Sequence, residues 1–265
     1  MTSGIKDLGD SIKVLYIDDD PSMLIITKSY LEKFDAGIEV RGTSNPDDLI
    51  KQMDAFDCIV SDYKMPVIDG IELAKKIRIH SSIPFILYTG QGSEEVASEA
   101  YDVGIDDYFR KEIEKSHYQV FARRIRGIVE KHRYEDRLKE SEVRFRSLFE
   151  LSPMAIAIQD IDGYPINVNE AFTQLTGFTR SEMMGRTLPA LARELGVPSE
   201  QIKLVINTGL ALHDGIEVDP FEYAFTNKKG IKQKVRVYTS LLKNEEKILG
   251  IQVIALKLGE NLDYS

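Results

Sequence analysis

Asp18 and Asp19 end one apolar run, Asp62 ends a second, Thr89 ends a third, and Lys111 follows a short fourth. Three carboxylates, a hydroxyl and an ammonium have a definite use if they meet. Carboxylates packed closely repel one another, and a hard divalent cation with oxygen ligands relieves the repulsion. Such a site suits a phosphoryl group, because cation and ammonium offset the charge that builds on its oxygens. Each residue alone has a bland reading. An acid after an apolar strand usually caps a helix or meets solvent, Thr89 is uninformative by itself, and a lysine such as Lys111 is most often a solvated charge. The joint pattern carries the inference.

Positioning these groups requires repeated strand–helix units. Apolar strands are predicted at about 13–17, 38–41, 57–61, 84–88 and 107–109. Helical patterns led by Pro21, Asn45-Pro46, Asp69-Gly70 and Ser93-Glu94-Glu95 separate them. Five strands alternating with five helices predict an α/β, flavodoxin-like doubly wound fold with parallel strand order 2-1-3-4-5. All the candidate groups then gather at the carboxyl edge of one sheet.

The runs Lys13-Val14-Leu15-Tyr16-Ile17-Asp18-Asp19-Asp20-Pro21-Ser22-Met23, Cys58-Ile59-Val60-Ser61-Asp62-Tyr63-Lys64-Met65-Pro66-Val67-Ile68-Asp69-Gly70, Pro84-Phe85-Ile86-Leu87-Tyr88-Thr89-Gly90 and Asp106-Asp107-Tyr108-Phe109-Arg110-Lys111 resemble the receiver domain of two-component response regulators. The resemblance implies that Asp62 is the phosphoacceptor, taking its group from a phosphohistidine of a sensor histidine kinase. It implies Mg2+ held by Asp19, Asp62 and the backbone carbonyl of Lys64, with Asp18 acting through water. Lys111 would offset phosphoryl charge and Thr89 would hydrogen-bond the acyl phosphate. Thr89 and Tyr108 would form the switch that reshapes the surface of the receiver's fourth and fifth helices. Gln91 and Lys64 would tune dephosphorylation. The family's lysine is usually followed by a proline in a cis bond, whereas Glu112 stands here, which implies a differently shaped loop.

The chain has 265 residues, 43% of them hydrophobic, which suits two modest cores better than one. A net charge of −9 argues against a nucleic-acid surface. The one cysteine, Cys58, lies within a buried-strand pattern, so no disulfide, thiolate zinc site or reactive thiol is indicated. No apolar run approaches the roughly 20 residues of a membrane span, and the N-terminus carries no basic-then-apolar signal. A cytoplasmic protein with no membrane contact is expected.

The chain divides into a receiver over 1–130, a helical linker over 131–147 and a second domain over 148–259. From His117 to Glu150 the pattern is helical. Phe121, Ile125 and Ile128 form a stripe for packing on the sheet, while Tyr134, Leu138, Ser141, Phe145 and Leu148 follow heptad steps. The second stripe predicts a parallel coiled coil and a homodimer; the alternative is an amphipathic helix folded back on its own domains. Beyond it, Phe145-Arg146-Ser147-Leu148-Phe149-Glu150-Leu151-Ser152-Pro153-Met154-Ala155-Ile156-Ala157-Ile158, the turn from Asp160 to Gly163, and Asn167-Val168-Asn169-Glu170-Ala171-Phe172-Thr173-Gln174-Leu175-Thr176-Gly177-Phe178 resemble a PAS domain. Strands at about 218–226, 231–242 and 247–258, with turns at Lys228-Lys229-Gly230 and Asn244-Glu245-Glu246, would complete an α+β domain with an antiparallel sheet.

PAS domains bind haem, flavin or small metabolites, or bind nothing and serve as dimer contacts. Haem-binding members place a histidine on the long helix before the third strand. Here that helix, predicted over Ser199 to Leu210, has none, and His213 is placed in the loop beyond it. Cysteine-adduct flavin chemistry is excluded because Cys58 lies in the wrong domain. Flavin held without covalent chemistry stays open, although the chain has no tryptophan to stack on it. Phe172, Phe178, Phe221, Tyr223, Phe225 and Tyr238 are candidate pocket residues or ordinary core.

After the last strand the sequence shows no kinase phosphotransfer helix, ATP-binding domain, helix-turn-helix or cyclase motif, and His80, His117 and His132 sit in no phosphohistidine motif. A non-enzymatic output by interaction, through the linker and PAS domain or a further protein, is therefore expected. The alternatives are a phosphate sink or a ligand-sensing adaptor within a hybrid kinase pathway. An atypical transferase would need a nucleotide-binding glycine-rich segment, which the sequence does not show.

Overall fold

Strands whose apolar residues point to both faces need cover on both, and the first half of the chain supplies it. The computed structural model describes residues 11–46, 53–90, 94–112, 114–213, 216, 218–245 and 247–258. The chain divides into two units, Met1–Glu140 and Ser141–Ser265.

In the first unit β1 (Ile12–Ile17), β2 (Ile38–Thr43), β3 (Cys58–Ser61), β4 (Phe85–Thr89) and β5 (Asp107–Arg110) form one sheet of order β2-β1-β3-β4-β5. All four pairings are parallel, as the sequence predicts. Alternate side chains leave opposite faces of each strand. Val14, Tyr16, Val60, Ile86 and Tyr88 build one core with Leu31 of α1 (Pro21–Phe34) and with Phe121, Ala122, Ile125 and Val129 of α4 (Lys115–Glu150). Cys58 is fully buried in the same core. Leu15, Ile17, Ile59, Phe85 and Leu87 build the other with Ile71, Leu73, Ala74 and Ile77 of α2 (Gly70–Arg78) and Ala100 of α3 (Glu94–Asp102).

The helix starts follow local chemistry. Asp20 accepts from the Ser22 amide with Pro21 in the first turn, and Asp69 accepts from the Glu72 amide. The helix expected after Asn45-Pro46 falls on 47–52, outside the described residues, as do Gln91 and Ser93; a short 3-10 turn, Met53–Ala55, leads into β3.

Helix α4 is fastened to the receiver sheet by charge as well as by its apolar stripe. Arg124 pairs with Asp107 at 2.9 Å and Arg126 with Asp35 at 2.5 Å. Arg133 pairs with Asp57 at 3.0 Å, with only 8% and 6% of the two side chains exposed. Tyr134, Leu138, Phe145 and Leu148 of the predicted heptad stripe are exposed.

In the second unit β6 (Ala155–Gln159), β7 (Pro165–Val168), β8 (Phe221–Thr226), β9 (Lys232–Lys243) and β10 (Ile248–Lys257) form an antiparallel sheet of order β7-β6-β10-β9-β8. Helices α5 (Glu170–Thr176), α6 (Arg180–Met183), α7 (Leu188–Glu194) and α8 (Ser199–His213) lie between β7 and β8 in the chain. Gly177 ends α5 at φ +80°, a left-handed position suited to glycine. Two expectations need correction. Helix α8 continues past Leu210 to His213, so His213 ends the helix instead of standing in a loop; Ala211 and Leu212 extend the helical run and Leu212 is buried in the core. The strand predicted from 218 begins at Phe221.

Asn169 ties the start of this domain together. Its buried side chain accepts from the amides of Ile156 (2.9 Å) and Phe172 (3.0 Å) and donates to the carbonyls of Phe149 and Met154, both at 2.9 Å. One amide thus joins the end of α4, β6 and the first turn of α5.

Candidate functional site

β1 and β3 are adjacent parallel strands, so the residues following them emerge side by side. The Asp62 amide donates to the Ile17 carbonyl at 2.8 Å, which sets Asp62 against the Asp18-Asp19 pair. One carboxylate oxygen from each of Asp18, Asp19 and Asp62 lies within 4.8 Å of the others. Asp18 is buried, Asp62 is half-buried and Asp19 is exposed, so the cluster is open on one side.

Lys111 closes the set from β5. Its backbone amide donates to the Thr89 carbonyl at 2.8 Å, and its ammonium contacts Asp18 Oδ2 at 2.6 Å and Asp62 Oδ1 at 3.2 Å. Peptide bonds among the described residues are all trans, including the one before Glu112, and Lys111 still spans both carboxylates.

The remaining lone pairs are largely committed. Asp18 Oδ1 accepts from the Asp20 amide at 3.0 Å, and Asp18 Oδ2 accepts from the Tyr16 hydroxyl as well as from Lys111. Asp62 Oδ1 accepts from the Tyr63 amide at 2.8 Å. Burial raises the Asp62 carboxyl above its usual range, the Lys111 ammonium opposes the shift, and the Asp18 charge adds to it. Burial foremost, then the Asp18 charge, pushes the Tyr16 hydroxyl far upward.

Thr89 is buried at the end of β4, and Tyr108 is half-buried on β5, its hydroxyl raised by burial. Lys64 is exposed on the loop after Asp62. That loop returns where the Gly70 amide donates to the Tyr63 carbonyl at 2.9 Å. A Cβ on residue 70 would overlap the Asp62 carbonyl oxygen and Leu87 Cδ1, so only glycine fits.

Gly70 stands in the run that carries the resemblance, whereas Tyr16 is a site residue that the reading of types and spacing missed. Tyr16 looks like ordinary strand core, and the available signal was its position two residues before Asp18, on the same side of an extended chain. His117 is no phosphohistidine candidate on this geometry. It is packed on Phe109 with ring centroids 4.5 Å apart, and burial lowers its pKa.

The second unit holds an apolar cavity of about 70 Å³ lined by Phe172, Phe178, Tyr223, Phe225 and neighbouring aliphatic residues. Tyr238 is not among the lining residues. Val235, Val237 and Thr239 of β9 face the cavity, and strand alternation puts Tyr238 on the other face with Arg236. Phe221 packs against the core without reaching the cavity. Drug-sized and cofactor ligands occupy roughly 300–1,000 Å³, so this space would have to open severalfold to admit haem or flavin.

No described helix is long and apolar enough to cross a membrane. Residues 14–123 match the family model of the response regulator receiver domain, and residues 153–257 match that of the PAS domain. The transcriptional regulatory protein SrrA of Staphylococcus aureus (strain NCTC 8325 / PS 47) is 32% identical over 103 residues, covering 38% of this chain and 42% of that protein. The chain thus matches less than half the length of this curated relative. Among solved structures, the chemotaxis protein CheY4 of Vibrio cholerae is 31% identical, with a TM-score of 0.40 and coverage of 43% of this chain and 98% of that one. The PAS domain of an HTR-like protein from Haloarcula marismortui is 26% identical, with a TM-score of 0.38 and coverage of 48% and 99%. The chain therefore carries a response regulator receiver domain over residues 14–123 followed by a PAS domain over residues 153–257.

Proposed function

We propose that this protein acts in the cytoplasm, that Asp62 accepts a phosphoryl group from the phosphohistidine of a sensor histidine kinase, and that the PAS domain relays the resulting state by protein contact. The observation that carries this reading is the Lys111 ammonium, held within 2.6 Å of Asp18 and 3.2 Å of Asp62 at the edge of the carboxylate cluster. Asp62 Oδ1 is engaged by Lys111 and the Tyr63 amide, which directs attack to Oδ2. As the new P–O bond forms, the P–N bond breaks in line, and the imidazole leaves with its electron pair. Lys111 then follows the charge onto the phosphoryl oxygens.

Three carboxylates within 4.8 Å are a hard oxygen set that fits Mg2+. Asp19, Asp62 and the Lys64 carbonyl would hold the ion and Asp18 would act through water; when bound, it neutralises developing phosphoryl charge. Thr89 would hydrogen-bond the acyl phosphate and Tyr108 would turn inward with it. The exposed heptad residues Tyr134, Leu138, Phe145 and Leu148 support a linker over 131–147 that pairs with a second copy. The small PAS cavity supports a module that works by contact, without haem or flavin.

The test is incubation with Mg2+ and acetyl phosphate or the partner kinase, followed by intact mass. The unsubstituted chain should gain one phosphoryl group and Asp62→Asn none. Equal labelling of Asp62→Asn would overturn the assignment.

A further inference from the structure

We infer that Tyr16 is a positioning residue of the receiver site, holding Asp18 from the core side so that Lys111 is free to serve Asp62. The inference rests on the proposed Mg2+-dependent function of the cluster. A buried tyrosine needs a partner for its hydroxyl in any case. What sets Tyr16 apart is the partner it has: Asp18 Oδ2, the same oxygen that Lys111 contacts at 2.6 Å.

A carboxylate offers about four acceptor positions. On Asp18 one is taken by the Asp20 amide at 3.0 Å, one by Tyr16 and one by Lys111. Asp18 is 1% exposed, so water gives it little help. Tyr16 is the neutral donor among the three that comes from a fully buried side chain, fixed in β1 with its ring 6.1 Å from that of Tyr88. It can hold the carboxylate at one angle while Lys111 moves.

Without that hydroxyl, Asp18 would lean on Lys111, and its orientation toward the cluster would loosen. Hydrogen-bonding partners behind metal-site carboxylates typically contribute about 10–100-fold in affinity or activity.

The experiment is Mg2+ titration of the full chain by calorimetry, without a phosphodonor, for the unsubstituted protein, Tyr16→Phe and Asp19→Asn, alongside thermal unfolding in chelator. Expected is loss of binding in Asp19→Asn and binding weakened about tenfold in Tyr16→Phe. A hydroxyl that is merely structural would shift the unfolding midpoint in chelator and leave the dissociation constant unchanged. If Asp19→Asn abolishes binding while Tyr16→Phe binds like the unsubstituted chain, the role of Tyr16 is overturned and the metal-site reading stands. If the unsubstituted chain binds no Mg2+, or Asp19→Asn binds equally, the site reading itself fails and takes the inference with it. Should Tyr16→Phe not fold, the tyrosine near-ultraviolet difference spectrum on adding Mg2+, compared with Asp18→Asn, decides instead. A Mg2+-induced signal that is lost in Asp18→Asn is expected, and no signal, or an equal one in Asp18→Asn, overturns the inference.

Discussion

Replacing Arg133 with methionine keeps the length and apolar stem of the side chain and removes its charge. In the structure the guanidinium lies 3.0 Å from Asp57, and the side chains are 8% and 6% exposed. Arg133 Nη2 also donates to the Ser11 carbonyl at 3.3 Å, while Asp57 Oδ2 accepts from the Lys13 amide at 2.9 Å. At this separation and an effective dielectric near 20, the pair attraction is about 5 kcal/mol. Breaking a buried pair costs about 3–5 kcal/mol, because the remaining charge stays buried without its counter-ion. Arg133→Met should therefore destabilise the receiver by about 3 kcal/mol and lower its thermal midpoint by about 10 °C. Adding Asp57→Asn removes the stranded charge yet leaves an oxygen for the Lys13 amide. The double variant should recover most of the loss. Calorimetric and denaturant unfolding of the full chain would measure both. A loss below about 1 kcal/mol in Arg133→Met, or no recovery in the double variant, would show that the pair is screened in solution and that the argument from burial is wrong.

Burial raises the Asp62 carboxyl above its ordinary value of 3.8, so keeping it charged disfavours the folded state. The folded state is therefore favoured most below that value, where the carboxyl is protonated folded or unfolded, and it loses this advantage as pH rises through the raised one. In chelator, Asp62→Asn should therefore unfold at a higher temperature than the unsubstituted chain at about pH 7, with the gap closing toward about pH 4; a gap that widens on acidification refutes the sign. Asn169→Ala removes a side chain with four hydrogen bonds to buried backbone and should cost the PAS domain about 3 kcal/mol by denaturant unfolding. Gly70→Ala forces a Cβ against the Asp62 carbonyl and Leu87; a loss of about 1–3 kcal/mol with slower phosphoryl uptake from acetyl phosphate is expected, and unchanged uptake would separate loop shape from site geometry.

The receiver sheet was legible because each strand is an apolar run ended by a polar residue, and the parallel order placed those endings together. Asp18, Asp19, Asp62 and Lys111 meet as their spacing requires. What stayed hidden was pairing that depends on register across the fold. Arg133 reads as one more charge on a charged helix, and only the turn of α4 over the sheet's amino edge gives it Asp57. Tyr16 reads as core because a hydroxyl within an apolar strand shows no partner until Lys111 arrives from β5. Tyr238 was misplaced for a simpler reason. On β9 the alternate residues Val235, Val237 and Thr239 face the cavity, and choosing aromatics by type ignores which half of the alternation they occupy.

Cys58, the chain's single thiol, is fully buried in β3, four residues before Asp62. Thiol reagents reach it only when the sheet opens, since α4 and α1 cover its face of the core. Its rate of modification is therefore a built-in clock for opening of the receiver, readable without any added probe. A cysteine introduced on the surface would react with almost no background from the native chain. The same burial that makes residue 58 chemically inert thus makes the rest of the protein selectively addressable.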